Sequence, residues 1–400
     1  MRDPETILIT LSTFFIALLA GLLFSALFRR FRIPWAVTLI FGGVIIGPHA
    51  LGLIQLENNP VIWFLAEIGV IFLMFLAGME IRFSAIRDVL KEGAIVGVFT
   101  GIVPGVLGAI VVLMFGYSPL VALTIGIILI NTSFAVVVPS LESKGILQSR
   151  VGKIIVSSTV LQDISSLVIF AVFLQIVNPT PFLPLPLWVV LLLFTLAGGI
   201  FAKFLIPRMR KPFKDYEHKH HDRDLFEGEL RTVMIFVLGF AIIFEFFKFE
   251  TIVGAFFAGL IISEATKSKM LDHKLHILGY GIFIPIFFVV VGAWIDISLF
   301  TQKELWLLIA AIALTSMTAK FVSGWTSGRL VGLDNYESSL VGLTSVPQLI
   351  TTLALTAIAQ SQGLIPDEIA VAVIVLAIVS VIVGPLIMGR VLDMKYPDRD

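Results

Sequence analysis

The chain has 400 residues, of which 58% are hydrophobic and 14% charged, and its 28 basic and 28 acidic side chains cancel at neutral pH. A soluble domain carries about 25% charged residues, so this composition excludes an ordinary water-soluble globule and makes a bilayer the solvent. The absence of cysteine removes disulfides, thiolate metal sites and cysteine nucleophiles, and the zero balance without a long basic run argues against nucleic acid as a partner.

A transmembrane helix needs about 20 mostly apolar residues. In chain order the sequence predicts thirteen, at 5–28, 35–54, 60–80, 92–115, 118–140, 153–176, 185–207, 231–248, 251–264, 279–299, 304–327, 337–360 and 368–390. The ninth is short and is expected to continue into 265–275. The first is too long for a signal peptide and no basic n-region precedes it, so it reads as a retained span. Cytoplasmic loops collect Lys and Arg. The odd-numbered loops and the C-terminus hold 23 of the 28 basic residues, against Arg2, Lys248 and Lys303 on the other side. The expected topology is N-terminus outside and C-terminus cytoplasmic, in the inner membrane of a bacterium or archaeon. Lys203, one turn from a span end, reads as a snorkelling anchor.

The polar segment from Arg208 to Arg231 divides the chain. It contains His218, His220 and His221, for which metal binding and a plain solvated loop both stand as readings. The predicted domains are a first repeat over 5–176, a linker helix over 185–207, a cytoplasmic loop over 208–230 and a second repeat over 231–390. The two groups of six spans start on opposite sides of the membrane, which predicts an all-α polytopic protein built from inverted repeats. The fifth span of each group is interrupted at a similar place, by Asn131-Thr132-Ser133 with Pro139 and by Thr344-Ser345 with Pro347-Gln348. Paired broken helices point to a site near the midplane, because unwound backbone exposes carbonyls and helix ends.

Ionisable groups deep in a bilayer are costly and default to function. Asp163 lies roughly 15 Å into the sixth span at 1.5 Å per residue. Thr159, Gln162, Asp163 and Ser166 form one polar stripe at helical spacing. Lys320 in the eleventh span is flanked by Ser316, Ser323 and Ser327 in the same manner. One buried acid and one buried base suggest an ion pair, which would lower the cost of both. A carboxylate so placed can bind a proton or a dehydrated alkali cation, with Gln162, Thr132, Ser133 and free carbonyls completing an oxygen shell. Competition of both ions for one group is sufficient for exchange. Glu67 in the third span stands as a gate or a helix contact, while Glu80, Glu245 and Asp296 lie near span ends and read as solvated.

The motifs Phe75-Leu76-Ala77-Gly78-Met79-Glu80, Asn131 to Gly145, Leu161-Gln162-Asp163-Ile164, Gly254 to Leu260 and Pro285 to Asp296 together resemble the sodium/hydrogen exchanger type membrane domain of the second cation/proton antiporter family. The resemblance covers essentially the whole chain. It implies a homodimer, with a core of the fourth to sixth and eleventh to thirteenth spans (92–176 and 304–390), a dimerisation domain from the rest, and an elevator-like movement of the core. It also implies that Asp163 binds the cation and the proton, that Thr132 and Ser133 lie at the break of the crossed helix, and that Lys320 is the basic residue of the opposing core helix, with Asn131, Ser345 and Gln348 in support. Gln162 departs from the Asp-Asp pair of electrogenic members and matches the Gln-Asp pair of potassium-efflux members. The partner of Lys320 is thereby left open, between Asp163 and a helix carbonyl or hydroxyl.

The expected function is antiport of Na+ or K+ against H+, electroneutral, with no cofactor and no enzymatic activity. A cation channel and an ion-coupled organic anion symporter are the alternatives. No Arg lies deep within a span to hold an organic anion, and one buried Asp at inverted broken helices fits exchange better than a ring-built filter. Partners beyond membrane lipid and a second copy would be either a separate cytoplasmic regulatory subunit or a missing C-terminal domain, since no Gly-rich phosphate motif follows the last span.

Overall fold

The computed structural model describes residues 4–28, 35–54, 56, 59–80, 87–133, 137, 141, 145–177, 228–246, 251–265 and 269–395. The expected seventh span, Lys203, Pro139, and the polar loop as far as residue 227 with its three histidines lie outside them. The described residues form α1 (Pro4–Phe28), α2 (Trp35–Ile46), α3 (Pro60–Glu80), α4 (Leu90–Met114), α5 (Pro119–Ile128), α6 (Arg150–Val177), α7 (Gly228–Phe246), α8 (Thr251–Ala265), α9 (Lys269–Leu278), α10 (Ile284–Ala293), α11 (Lys303–Leu330), α12 (Asn335–Ser345), α13 (Ile350–Ser361) and α14 (Asp367–Lys395).

Among the described residues seven helical segments are long and apolar enough to cross a membrane: Pro60–Glu80, Leu90–Met114, Arg150–Val177, Met270–Ala293, Lys303–Leu330, Asn335–Ser361 and Asp367–Gly389. Their apolar content follows from the solvent, because only a segment that bonds all its own backbone can lie in hydrocarbon. One expected boundary is corrected. Lys269–Leu278 does not lengthen the ninth span but passes through a π-helical turn at Gly279–Phe283 into α10. Leu271 and Leu275, one turn apart, are both fully buried, so this polar-looking stretch has a packed face. The π turn absorbs an extra residue without breaking the helical rod.

The chain divides into two compact units. The first comprises Met1–Leu18, Leu56–Arg82 and Val168–Phe288. Within it α3 packs against α8, and α8 against α7. The α3 and α8 contact is made at glycines: a Cβ on Gly78 would lie 2.2 Å from Phe256 O, and one on Gly259 would lie 2.1 Å from Phe75 O. Such backbone-to-backbone approach is how helices associate when lipid already solvates their apolar side chains.

The second unit comprises Leu19–Gln55, Phe83–Leu167 and Val289–Asp400. Here α11 packs on α4, α12 and α14, while α5 packs on α4 and α13 on α14. Ser118 caps α5, with Pro119 filling the first position where no N–H is needed. Asp334 and Glu337 form a capping box that starts α12. A buried apolar cluster that includes Val96, Leu141, Ile154, Ile155, Leu340 and Met388 fixes α4, α6, α12 and α14 against one another.

Two interruptions of regular helix lie inside this unit. α5 ends at Ile128, and Asn131 to Ser133 are non-helical; between Ser345 and Ile350 the chain again leaves the helix. Pro347 has no N–H to donate to a helix, which accounts for the second break. The breaks meet: Ser133 N donates to Pro347 O at 2.7 Å.

Candidate functional site: a buried acid and base at two helix breaks

The stripe expected on α6 is buried, with Thr159, Gln162, Asp163 and Ser166 all at 4% exposure or less. Thr159 Oγ1 donates to Ile155 O at 3.0 Å and Ser166 Oγ donates to Asp163 O at 3.0 Å. Those two hydroxyls are thus turned back on their own helix, and Gln162 and Asp163 are the groups that reach outward.

Asp163 Oδ1 accepts from Thr351 Oγ1 at 3.3 Å. Thr351 is the second residue of α13, whose N-terminus has no side-chain cap. The positive end of a helix and a hydroxyl therefore face the carboxylate, and both offset part of the cost of burying it. The next residue, Thr352, donates to Asn131 Oδ1 at 2.7 Å and ties the second break to the first.

Lys320 on α11 is fully buried. Its Nζ donates to Ile130 O at 2.8 Å, Asn131 O at 2.6 Å, Thr132 Oγ1 at 3.1 Å and Gln162 Oε1 at 3.1 Å. None of these four acceptors is an Asp163 oxygen; of the two kinds of partner left open for Lys320, helix carbonyls and a hydroxyl supply its hydrogen bonds, while Asp163 acts on it as a nearby opposite charge. The cause is the break after α5. Ile130 and Asn131 follow the C-cap of α5, so their carbonyls have no helix to bond into and lie beside its negative end, which suits an ammonium. Gln162 then completes the set, its Nε2 donating to Ser158 O at 3.2 Å and leaving its oxygen for Lys320.

Of the other expected residues, Ser345 O accepts from Thr132 Oγ1 at 3.1 Å. Gln348 Nε2 donates to Ser316 Oγ at 2.9 Å, and Gln348 N donates to Ser380 Oγ at 3.0 Å. Three buried side-chain atoms around the breaks have no hydrogen-bond partner among the described residues: Asn131 Nδ2, Ser133 Oγ and Gln348 Oε1. Glu67 stands apart. It belongs to the other unit, is exposed, and accepts from Thr251 Oγ1 at 2.6 Å, joining α3 to α8.

Sequence reading missed Thr351, Thr352 and Ser380. The first two follow directly on the Pro347-Gln348 break, so a rule that examines the first turn after a break would have found them. Ser380 on a long apolar helix gave no such signal.

Among the described residues no group of three His, Cys, Asp or Glu side chains converges. The chemistry available is that of one carboxylate, one ammonium and neutral oxygens, which suits a proton or a hard monovalent cation and no redox or nucleophilic step. Residues 14–393 match the transmembrane sodium/hydrogen exchanger family. The chain belongs to that family. The family is one of transporters, not enzymes, and the ions its members move are substrates rather than cofactors.

Two relatives show the extent of the likeness. The probable Na(+)/H(+) antiporter 3 of Methanocaldococcus jannaschii is 30% identical over 392 residues, covering 96% of each chain. The Na(+)/H(+) antiporter of Enterococcus hirae is 28% identical, covering 93% of this chain and 95% of that one. A solved structure of the sodium proton antiporter MjNhaP1 from Methanocaldococcus jannaschii superposes with a TM-score of 0.74 at 18% identity, over 98% of this chain and 100% of that one. The fold is thus shared with an antiporter across essentially its whole length.

Proposed function

We propose that this chain is a secondary active antiporter that exchanges Na+ or K+ for H+, with both ions competing for Asp163. The observation that supports it is the carboxylate itself: Asp163 is 4% exposed and faces Thr351 where two helix breaks meet. A buried carboxylate with hydroxyl and helix-end neighbours is neutral when it holds a proton and near neutral when it holds an alkali cation. Only those two forms would cross between inward-open and outward-open states, so the ions move in opposite directions. With one titrating carboxylate the exchange is one for one and electroneutral. The names of the relatives favour Na+, whereas Gln162 beside Asp163 matches the potassium-efflux pattern.

The same reading carries the finer architecture. It takes thirteen spans in two inverted repeats, a homodimer, and a core of 92–176 and 304–390 that moves against a dimerisation domain formed by the rest. Thr132, Ser133 and Asn131 support the ion at the first break, and Ser345 and Gln348 support it at the second. The protein would sit in an inner membrane with its N-terminus outside.

The test is exchange in proteoliposomes, read by an internal pH dye under imposed Na+ or K+ gradients. Cation-driven proton movement that vanishes in Asp163→Asn supports the assignment; movement that persists overturns it. A current generated during turnover would overturn the stoichiometry, and the ratio of KM for Na+ and K+ across pH 6 to 9 decides the cation.

A further inference from the structure

The oxygens around Lys320 form a cage of the kind that holds an alkali cation. Two are main-chain carbonyls, one is a hydroxyl and one an amide oxygen, at 2.6 to 3.1 Å from the ammonium nitrogen. An ammonium has only three N–H donors, so it cannot give a linear bond to all four oxygens. A spherical ion has no such restriction.

Each oxygen is aimed inward by a commitment on its other side. Ile130 O and Asn131 O are released by the end of α5. The Thr132 hydroxyl has two acceptors for its one proton, Ser345 O and the cage oxygen Gln162 Oε1, each at 3.1 Å, and either choice leaves its lone pairs for the cage. Gln162 Nε2 is held by Ser158 O at 3.2 Å, which orients Oε1. Asn131, Thr132 and Gln162 are each at 2% exposure or less, so water does not compete for these atoms.

We infer that this cage is a second monovalent-cation site, which borrows Asn131, Thr132 and Gln162 from the shell proposed around Asp163 but not its carboxylate, and which Lys320 fills with a tethered ammonium. Separations of 2.6 to 3.1 Å suit K+, Rb+ or NH4+ rather than the smaller Na+, for which the cage would have to contract. No carboxylate oxygen is among the four. The site selects by radius and by neutral dipoles, as a carbonyl filter does. The inference goes beyond the proposed exchange at Asp163 and gives a reason for its stoichiometry: a permanently occupied second site keeps a second transported cation out.

The experiment uses the full chain purified in detergent and saturation binding of radioactive Rb+, in Asp163→Asn and in Asp163→Asn with Lys320→Ala. Asp163→Asn alone should bind no Rb+, because Lys320 still fills the cage. The double variant should bind one Rb+ per chain, displaced by K+ or NH4+ at about tenfold lower concentration than by Na+ or Li+. Adding Thr132→Val should weaken that binding. A folded double variant that binds no Rb+ overturns the inference, as does one in which Na+ competes as well as K+. Should the double variant unfold in choline buffer, recovery of a monodisperse protein by K+ or Rb+ supports the site, and equal recovery by Na+ or Li+ overturns it. Because Asp163 is absent in every arm, failure here leaves the assignment of Asp163 untouched, and failure of the Asp163→Asn exchange test leaves the cage untouched.

Discussion

Asp163 and Lys320 are both buried in an apolar unit, yet they are accommodated by different means. Lys320 is surrounded by oxygens supplied mainly by the end of one helix, while Asp163 faces the start of another through Thr351. Gln162→Leu removes one of four oxygens around an ammonium that has three N–H groups, so each donor keeps an acceptor and the loss should be at most about 1 kcal/mol, seen as a slightly lower unfolding temperature by tryptophan fluorescence. Thr351→Val keeps the volume and deletes the hydroxyl that meets Asp163. On the proposed reading it should raise the cation KM several-fold with little change in maximal rate. A fall in rate at unchanged KM would assign Thr351 to the conformational step instead. The identity of both charged residues was legible from hydropathy alone, and carbonyls or a hydroxyl were among the partners left open for Lys320, but Thr351 as the partner of Asp163 was not legible. A pairing rule joins opposite charges, whereas here a glutamine one residue away and two freed carbonyls take the ammonium. Thr351 and Thr352 were hidden for a related reason: threonines in apolar helices usually bond back to their own backbone, as Thr344 and Thr356 do here.

At the level of elements, hydropathy located the helices and proline with polar residues located the breaks, because a bilayer tolerates few other patterns. The junction between α8 and α9 misled, since Lys269 to Leu278 looks too polar to start a span and the π turn that carries it onward has no sequence signature. Glycine contacts were also invisible in the sequence, because which glycines face a neighbour depends on the packing partner. They give a direct prediction. A Cβ on Gly292 would lie 2.0 Å from Ile40 O, so Gly292→Ala should force α2 and α10 apart and cost about 1–3 kcal/mol, measured as a fall in unfolding temperature. Gly389, with open space around it, serves as the control that tolerates alanine. At the end of α10, hydrogen bonds from the Ser298 side chain and backbone hold the Asp296 carboxyl below its ordinary value of 3.8. A depressed carboxyl stabilises the fold at pH above its unfolded value, and that contribution disappears as pH falls through the folded value. Asp296→Asn should therefore flatten the acid limb of the stability profile below about pH 4, by lowering stability slightly at neutral pH while leaving it little changed at the acid end.

For the whole molecule, composition points to the membrane, and the distribution of Lys and Arg predicts an orientation. The absence of cysteine makes that orientation open to a clean experiment. A single cysteine at Gln302 should react with an impermeant maleimide applied to intact cells, and one at Asn335 only after the membrane is opened. The reverse pattern would invert the topology. The thirteenth span and the twofold plan rest on the same reading, because a miscounted span near the centre would scatter the basic residues over both faces.

The bonds between the two breaks join residues far apart in the chain; Thr132 and Ser345, for example, are separated by 213 positions. At a synthesis rate of about 5–20 residues per second, the first break waits roughly 10–40 seconds for the second to emerge. During that interval the carbonyls of Ile130 and Asn131 wait without Lys320, which is made later. The site is thus closed only after most of the chain has left the ribosome, long after the first break has formed.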